Sequence, residues 1–372
     1  MAGLFAALRR LSAASSAGLV VVMTGVCAIT VVLKALLALP WGGLVAASCQ
    51  WDCFWYSDIV RNGYSRLPRL DDPLRLAQAN WAFFPLYPLL ARAVGSGLHL
   101  DAVLAEILVN ILLWPVLIFL CLRDLELRGL GVDRLLFVLF FVLYPFNVWY
   151  MVQYSEALYG VLLMAAIVAL RQEQVALAAL ACALLALARP TGFVMAVCLA
   201  GWWLASGVSV TRASMMVRVR ESLLLVVAGG AGLSVFVLYL FHLTGDGFGF
   251  VHVETAWGRE FHFFLLHVLY ALDSVLIPFG IYALAAFALV WRMCTPVWAL
   301  SALLVGTTTL LATSTSVVSV ERYALGNPLV IQFLAYMVIS LPPRARGMVM
   351  AGMGVLSVRM LLLWYSGSYL VM

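Results

Sequence analysis

Residues 19–39 read LVVVMTGVCAITVVLKALLAL, with Lys34 the sole charge. A helix that crosses the hydrocarbon of a bilayer needs roughly 20 consecutive apolar residues, so this run is long enough to span and decides the class of fold. Ten more apolar runs follow, at 101–122, 134–150, 157–170, 174–188, 191–208, 222–243, 264–291, 296–313, 325–341 and 347–365. Together they predict about 11 transmembrane helices, with a range of 9–12. The short runs 157–170 and 174–188 read as a helical hairpin. Asp273 and Pro278 interrupt the run 264–291, which predicts a re-entrant or interfacial start there.

Composition agrees. The chain is 65% hydrophobic and 10% charged, with a mean hydropathy of +1.06, against about 25% charged residues in a soluble domain. The expected fold is an all-α polytopic bundle forming a single integral membrane domain over residues 1–372, with one long outer loop over 40–100. The net charge of +5 comes from basic residues scattered through short loops, so nucleic acid is not an expected partner. The lipid bilayer is.

The arginines orient the chain. With Arg9 and Arg10 placed inside, the cytoplasmic side also collects Arg123, Arg128, Arg134, Arg171, Arg212, Arg218, Arg220, Arg292, Arg344 and Arg346. The other side holds Arg61, Arg66, Arg69, Arg75, Arg92, Arg189, Arg259 and Arg322, five of them in the long loop, where positive charge does not set topology. In this orientation the polar segments 50–92, 144–156, 189–192, 244–262 and 313–323 all fall on the outer face. The first span has the length of a membrane anchor and no clear small-residue cleavage site, so it is not expected to be a cleaved signal. No Asn-X-Ser/Thr sequon occurs. That favours a bacterial inner membrane with the site facing the periplasm, the endoplasmic reticulum membrane being the equivalent in a eukaryote.

Directly after the first span comes Gln50-Trp51-Asp52-Cys53-Phe54-Trp55-Tyr56, an acid wrapped in aromatics at the membrane surface. An ionisable group retained at a bilayer is costly and is a functional candidate by default. Leu44 to Asn62 is amphipathic and predicts a helix lying along the interface. Ser65 to Asn80, with Pro68, Asp71, Asp72 and Pro73, is turn-rich. Asp52 has two readings: a general base that takes the proton of an attacking hydroxyl, or an N-terminal helix cap. Asp58, six residues on, cannot share its helical face and reads as solvated or ion-paired. Cys49 and Cys53 flank Trp51-Asp52; a disulfide between them is conceivable, but a spacing of four on one helix strains it. Cys27, Cys182 and Cys198 lie in apolar runs and behave as small hydrophobes.

The other constellations each have two readings. Arg189, in Arg189-Pro190-Thr191-Gly192, is placed to hold a lipid phosphate through its guanidinium fork or to snorkel from a helix end. Arg322, in Glu321-Arg322-Tyr323, is a second phosphate ligand or the partner of Glu321. Glu156, after Tyr154-Ser155, binds a sugar hydroxyl, pairs with Arg189, or favours a helix N-terminus by its charge. His252 and Glu254, with Trp257, Arg259 and Glu260 in the same loop, suit acceptor contacts or a structural network; with no third ligand nearby, a metal is not expected. Trp51, Trp55, Tyr56, Trp81, Phe84, Tyr87 and Tyr323 are the aromatic candidates for a substrate pocket. Asp273, inside an apolar run, is a candidate for testing or a capped helix break, and Arg359 reads as bundle-facing or snorkelling.

Six motifs in order carry a resemblance: Gln50-Trp51-Asp52 with Tyr56, Asn62-Gly63-Tyr64, Ala82-Phe83-Phe84-Pro85-Leu86-Tyr87-Pro88, Tyr154-Ser155-Glu156-Ala157-Leu158, Arg189-Pro190-Thr191-Gly192, and Arg322-Tyr323. In these the chain resembles the PIG-V family, the second mannosyltransferases of GPI-anchor assembly and their bacterial relatives. The resemblance implies a GT-C glycosyltransferase fold, a polyprenyl- or dolichyl-phosphate-linked mannose donor, inversion at the sugar, and an essential acid in the first outer loop, matched here by Asp52. It departs from the paired acids of many such enzymes, because Cys53 follows Asp52. That removes the ready metal site, and no cofactor is expected, though the need for a divalent cation is left open. Nothing in the chain points to GPI itself; the acceptor is expected to be a glycolipid or another glycan. The rival class is a transporter or flippase of lipid-linked sugars, which would place ionisable residues at the midplane and show internal pseudo-symmetry. Here the polar motifs crowd one face.

Overall fold

The computed structural model describes residues 2–68, 77–206 and 212–371. Arg69, Asp71, Asp72, Pro73 and Arg75 of the turn-rich segment lie outside the described residues. Every described element is helical, in the order α1 (Ala2–Ala14), α2 (Ser16–Leu37), α3 (Leu44–Ser48), α4 (Cys53–Asn62), α5 (Leu86–Leu98), α6 (Ala102–Leu127), α7 (Arg134–Leu143), α8 (Glu156–Arg171) and α9 (Val175–Ala188). There follow α10 (Thr191–Ala205), α11 (Arg212–Thr244), α12 (Gly249–His252), α13 (Phe264–Leu272), α14 (Ile277–Met293), α15 (Ala299–Thr315), α16 (Pro328–Ile339) and α17 (Pro343–Tyr365).

Each of the eleven apolar runs holds an α-helix among the described residues, but the helices differ in length more than the runs suggest. Among the described residues four are long and apolar enough to cross a membrane: α2, α6, α11 from Met215, and α17. α7, α9, α10, α14, α15 and α16 are apolar but only 10–17 residues long. At 1.5 Å per residue, α7 covers only about half of a 30 Å hydrocarbon core. After it the chain continues as a short 3-10 helix over Pro145–Tyr150 and an irregular stretch to Ser155, almost all of it buried. Non-helical backbone at membrane depth is tolerated only where protein covers it or it lines a cavity. Asn110 of α6 meets that demand by donating to the carbonyls of Val152 and Tyr154.

The run 264–291 breaks into α13 and α14, with Asp273 at the C-terminus of α13. The runs 157–170 and 174–188 form the hairpin α8–α9. α8, α9, α10 and α11 pack side by side, and α6 backs α8. Close approach is built in at Gly232, where a Cβ would sit 2.0 Å from the Ala183 carbonyl oxygen. Arg359 is exposed on α17, which excludes the bundle-facing reading.

Two expectations about the outer loop are corrected. Leu44 to Asn62 is two helices, α3 and α4, not one. Cys49 and Cys53 are joined by a disulfide, with Cα atoms 5.2 Å apart. The objection to that bridge assumed a continuous helix. The chain instead leaves α3 at Cys49 and turns through Trp51, whose φ of 49° is left-handed, before α4 begins at Cys53. α4 then buries Cys53, Trp55, Tyr56, Ser57, Ile59 and Val60 and leaves Phe54, Arg61 and Asn62 outside.

Candidate active site

Asp52 sits at the N-cap of α4, yet its side chain makes no capping hydrogen bond. Its Oδ2 instead accepts from Arg322 Nη1 at 2.7 Å. Its own N–H donates to the Tyr154 hydroxyl at 3.0 Å. The Asp52 side chain keeps 27% of its surface accessible, against 5% for Arg322: the acid faces open space and the guanidinium lies behind it.

Arg322 lies on a single π-helical turn, Glu321–Leu325, which follows Ser319 at φ 69°. Single π turns and left-handed non-glycine residues cluster at functional sites, where surrounding contacts hold a conformation the chain disfavours. The turn directs Arg322 away from its neighbour in sequence and onto Asp52, so the Glu321 pairing is not its principal ion pair. Arg322 Nη2 donates to the Tyr323 hydroxyl, and its Nε lies 3.2 Å from Glu156 Oε1. The guanidinium also stacks over Tyr154 and Tyr323, at 4.9 and 4.5 Å from the ring centroids.

Arg189 caps α9 in an extended conformation, and the chain turns through Pro190 into α10. Only glycine fits at 192, because a Cβ there would lie 2.1 Å from the Leu185 carbonyl oxygen. Arg189 Nη2 pairs with Glu156 Oε1, and its Nε donates to Ser155 Oγ at 2.8 Å. Ser155 Oγ in turn lies 2.9 Å from the Tyr56 hydroxyl. Glu156 Oε1 therefore faces both arginines, while its buried Oε2 has no hydrogen-bond partner among the described residues. Two carboxylates and two guanidiniums, drawn from α4, α8, the α9–α10 turn and the π turn, form one cluster.

The cluster is the floor of a cavity of about 1400 Å³. Of the residues named from the sequence, Asp52, Glu156, Arg189, Arg322, Trp51, Trp55, Tyr56, Phe84, His252, Glu254 and Tyr323 line it. Trp81 and Tyr87 do not. Trp81 donates its indole N–H to the Ser65 carbonyl at 2.6 Å and packs on Gly249. Tyr87 is fully buried behind the wall, donating to the Glu106 carbonyl and accepting from Asn110. Aromatics near a membrane read alike whether they line a cavity or pack behind it, and these two pack behind.

One wall is aromatic: Trp55 stacks on Phe83 at 5.9 Å and meets the edge of Trp257 at 5.6 Å. Thr191 and Val194 of α10 and Thr308, Leu311 and Ala312 of α15 form an apolar side. At the mouth, Glu254 pairs with Arg259 at 3.3 Å and His252 Nδ1 with Asp246 at 2.7 Å. Burial raises the Glu254 pKa, Arg259 pulls it back, and the negative charge of Asp52 adds to the rise. Asp58, read from sequence as solvated or ion-paired, instead accepts from Asn62 and Asn80. Among the described residues no group of three or more His, Cys, Asp or Glu side chains converges as a metal site would require.

Sequence reasoning missed Tyr154, which touches the Asp52 backbone and underlies Arg322, and Ser155, which holds Arg189. Both lie in the quoted Tyr154-Ser155-Glu156 motif, where only the charge drew notice. Thr308 and Leu311 gave no signal beyond an apolar period.

The arrangement can do two things chemically. A carboxylate open to a cavity can take a proton from a hydroxyl, and two guanidiniums at its base can hold an anionic oxygen group as charge develops.

No protein-family model matches the chain, and no curated protein sequence matches it. Among solved structures, the cryo-EM structure of the arabinofuranosyltransferase AftD from Mycobacteria is similar over 92% of this chain and 27% of the AftD chain, at 14% identity and a TM-score of 0.45. This chain thus spans about a quarter of the length of AftD. At that level of similarity nothing about activity transfers from one protein to the other. The fold and composition define a polytopic α-helical membrane protein with a cavity lined by charged and aromatic residues.

Proposed function

We propose that this protein is a GT-C-type membrane glycosyltransferase, with its site in a single membrane domain under the 40–100 loop and facing the outer side. It moves a sugar, mannose on the PIG-V resemblance, from a polyprenyl-phosphate donor to a hydroxyl of a glycolipid or other glycan acceptor. The observation that carries this reading is the Asp52 carboxylate, which declines its helix cap and faces the cavity in the grip of Arg322.

In the reaction, Asp52 takes the proton of the acceptor hydroxyl as that oxygen attacks the anomeric carbon. The bond from that carbon to the phosphate oxygen breaks, and its electron pair stays on the polyprenyl phosphate. Attack from the face opposite the leaving group inverts the sugar. Arg189 and Arg322 meet the phosphate, and their charge offsets the negative charge it gains. Trp55, Trp257 and Tyr323 border the sugar; Glu254 and His252, at the mouth, contact the acceptor. The apolar side between α10 and α15 admits the polyprenyl tail.

The test is transfer of radiolabel from synthetic polyprenyl-phosphate sugars, mannose first, to membrane lipids in detergent. Label in a new product identifies donor sugar and acceptor together. Arg189→Ala is expected to weaken donor binding more than acceptor binding; equal losses would remove it as a phosphate ligand. Donor binding without transfer of any sugar, together with flipping in proteoliposomes, would replace this reading with transport.

A further inference from the structure

The Cys49–Cys53 disulfide closes a loop of three residues, Gln50, Trp51 and Asp52, and the last of these is the acid of the site. Trp51 holds a φ of 49°. A bulky side chain rarely occupies that left-handed region and does so only where its surroundings impose it. Two constraints impose it here. One is the bridge, which ties the end of α3 to the first residue of α4. The other is Tyr154, whose hydroxyl accepts from the Asp52 N–H at 3.0 Å and donates to the Gln50 carbonyl at 3.4 Å. Cys53 is fully buried, whereas Cys49 is only half-buried, and Gln50 and Trp51, next to it in the chain, line the cavity. A small thiol can therefore reach one sulfur. The remaining cysteines Cys27, Cys121, Cys182, Cys198 and Cys294 are unpaired thiols.

We propose that the Cys49–Cys53 disulfide is a redox-sensitive brace that holds Asp52 in register with Arg322, so that turnover requires the bond to be closed. This rests on Asp52 as the base. Opening the bond takes two electrons and two protons from a dithiol, which leaves as its own disulfide; Cys49 and Cys53 become thiols. Trp51 then relaxes out of the left-handed region, and the Asp52 carboxylate moves off Arg322. A displacement of about 1 Å in a reacting group lowers turnover by roughly 10- to 100-fold. Because such a bond persists only where the medium is oxidising, the brace also couples activity to the outer face.

The experiment treats purified full-length protein with and without dithiothreitol. It follows the 49–53 bond by differential alkylation and mass spectrometry, amide hydrogen exchange in the peptide 50–56, and sugar transfer. Reduction is expected to speed exchange in that peptide and to cut turnover roughly 10- to 100-fold with little change in donor binding; reoxidation restores both. Cys49→Ser/Cys53→Ser should behave as reduced wild type and ignore the reductant, while Cys294→Ser should respond as wild type does. An open bond with unchanged exchange, an open bond with unchanged turnover, or free thiols at both positions in oxidised protein would each overturn the brace. If oxidised wild type transfers no sugar, the glycosyltransferase reading fails, and the exchange data alone decide whether the bond orders Asp52.

Discussion

α8 carries a charged cluster at each end, and the two differ in how far their charges are satisfied. At its C-terminal end Arg171 pairs with Asp124, which also accepts from Arg128 at 3.3 Å and Gln332 at 2.8 Å. Asp124 keeps only 1% of its surface, and Arg128 stacks on Trp298 at 4.0 Å. Both carboxylate oxygens are taken. At the N-terminal end, about 22 Å away by helix rise, Glu156 shares one oxygen between two arginines and leaves the other without a hydrogen bond among the described residues. Beside it Asp52 opens to a cavity of about 1400 Å³. The same residue types make a clamp at one end and a candidate site at the other. A saturated cluster has nothing left to offer a ligand; an unsaturated one costs stability and can exchange partners when a substrate arrives.

The largest effect that separates the two ends is expected from Arg322→Ala. It strips Asp52 and Glu156 of a shared cation, so donor binding should fall and turnover drop by about 10³-fold or more, read by donor titration and single-turnover transfer. Turnover near wild type would make the cluster a second clamp. Next comes Asp124→Ala, which leaves the buried Arg128 guanidinium and the half-buried Arg171 without their carboxylate. Breaking such a group costs about 3–5 kcal/mol, so thermal unfolding in detergent should move down markedly, while the molecules still folded turn over at the wild-type rate. Loss of rate without loss of stability would erase the contrast.

The smallest effect is at Glu254. Its pKa is raised by burial, against the pull of Arg259 and with the push of Asp52. For a carboxyl raised on folding, the stabilising contribution is complete below the ordinary glutamate value of about 4.3 and is lost as pH rises through the raised value. Glu254→Gln should therefore flatten the fall in stability over that window. The change should be only about a few tenths of a kcal/mol, because the side chain is partly open to water. Melting temperature against pH measures it, and an unchanged slope would place Glu254 outside the field of the site.

Much of the bundle was legible in the sequence because hydrocarbon imposes one rule on every residue of a span. The eleven apolar runs each hold an α-helix among the described residues. The common location of Asp52, Glu156, Arg189 and Arg322 followed from counting spans. Their pairing did not, since Asp52 and Arg322 are 270 residues apart and nothing in the spacing selects that contact over Glu321–Arg322. Residues adjacent in a helical turn do not face each other, and the π turn separates that pair. The Cys49–Cys53 bridge was discounted because a helix was assumed through Trp51, and a left-handed tryptophan leaves no mark in sequence. Trp81 and Tyr87 were misplaced because burial behind a wall and exposure within it call for the same apolar rings. The clamp at Asp124 left no mark in the sequence, because nothing in the spacing of Asp124, Arg128 and Arg171 says that the carboxylate is buried between the two arginines.

The most direct test of Asp52 as the base is sugar transfer by Asp52→Asn, measured beside donor binding and thermal unfolding on the same preparations. Asparagine keeps the size of the side chain and still accepts from Arg322, but it cannot take up the proton of a hydroxyl. The expected result is donor affinity within a few-fold of wild type, an unfolding temperature close to wild type, and transfer lower by about 10²- to 10⁴-fold. Transfer at the wild-type rate by folded, donor-binding Asp52→Asn protein would contradict it.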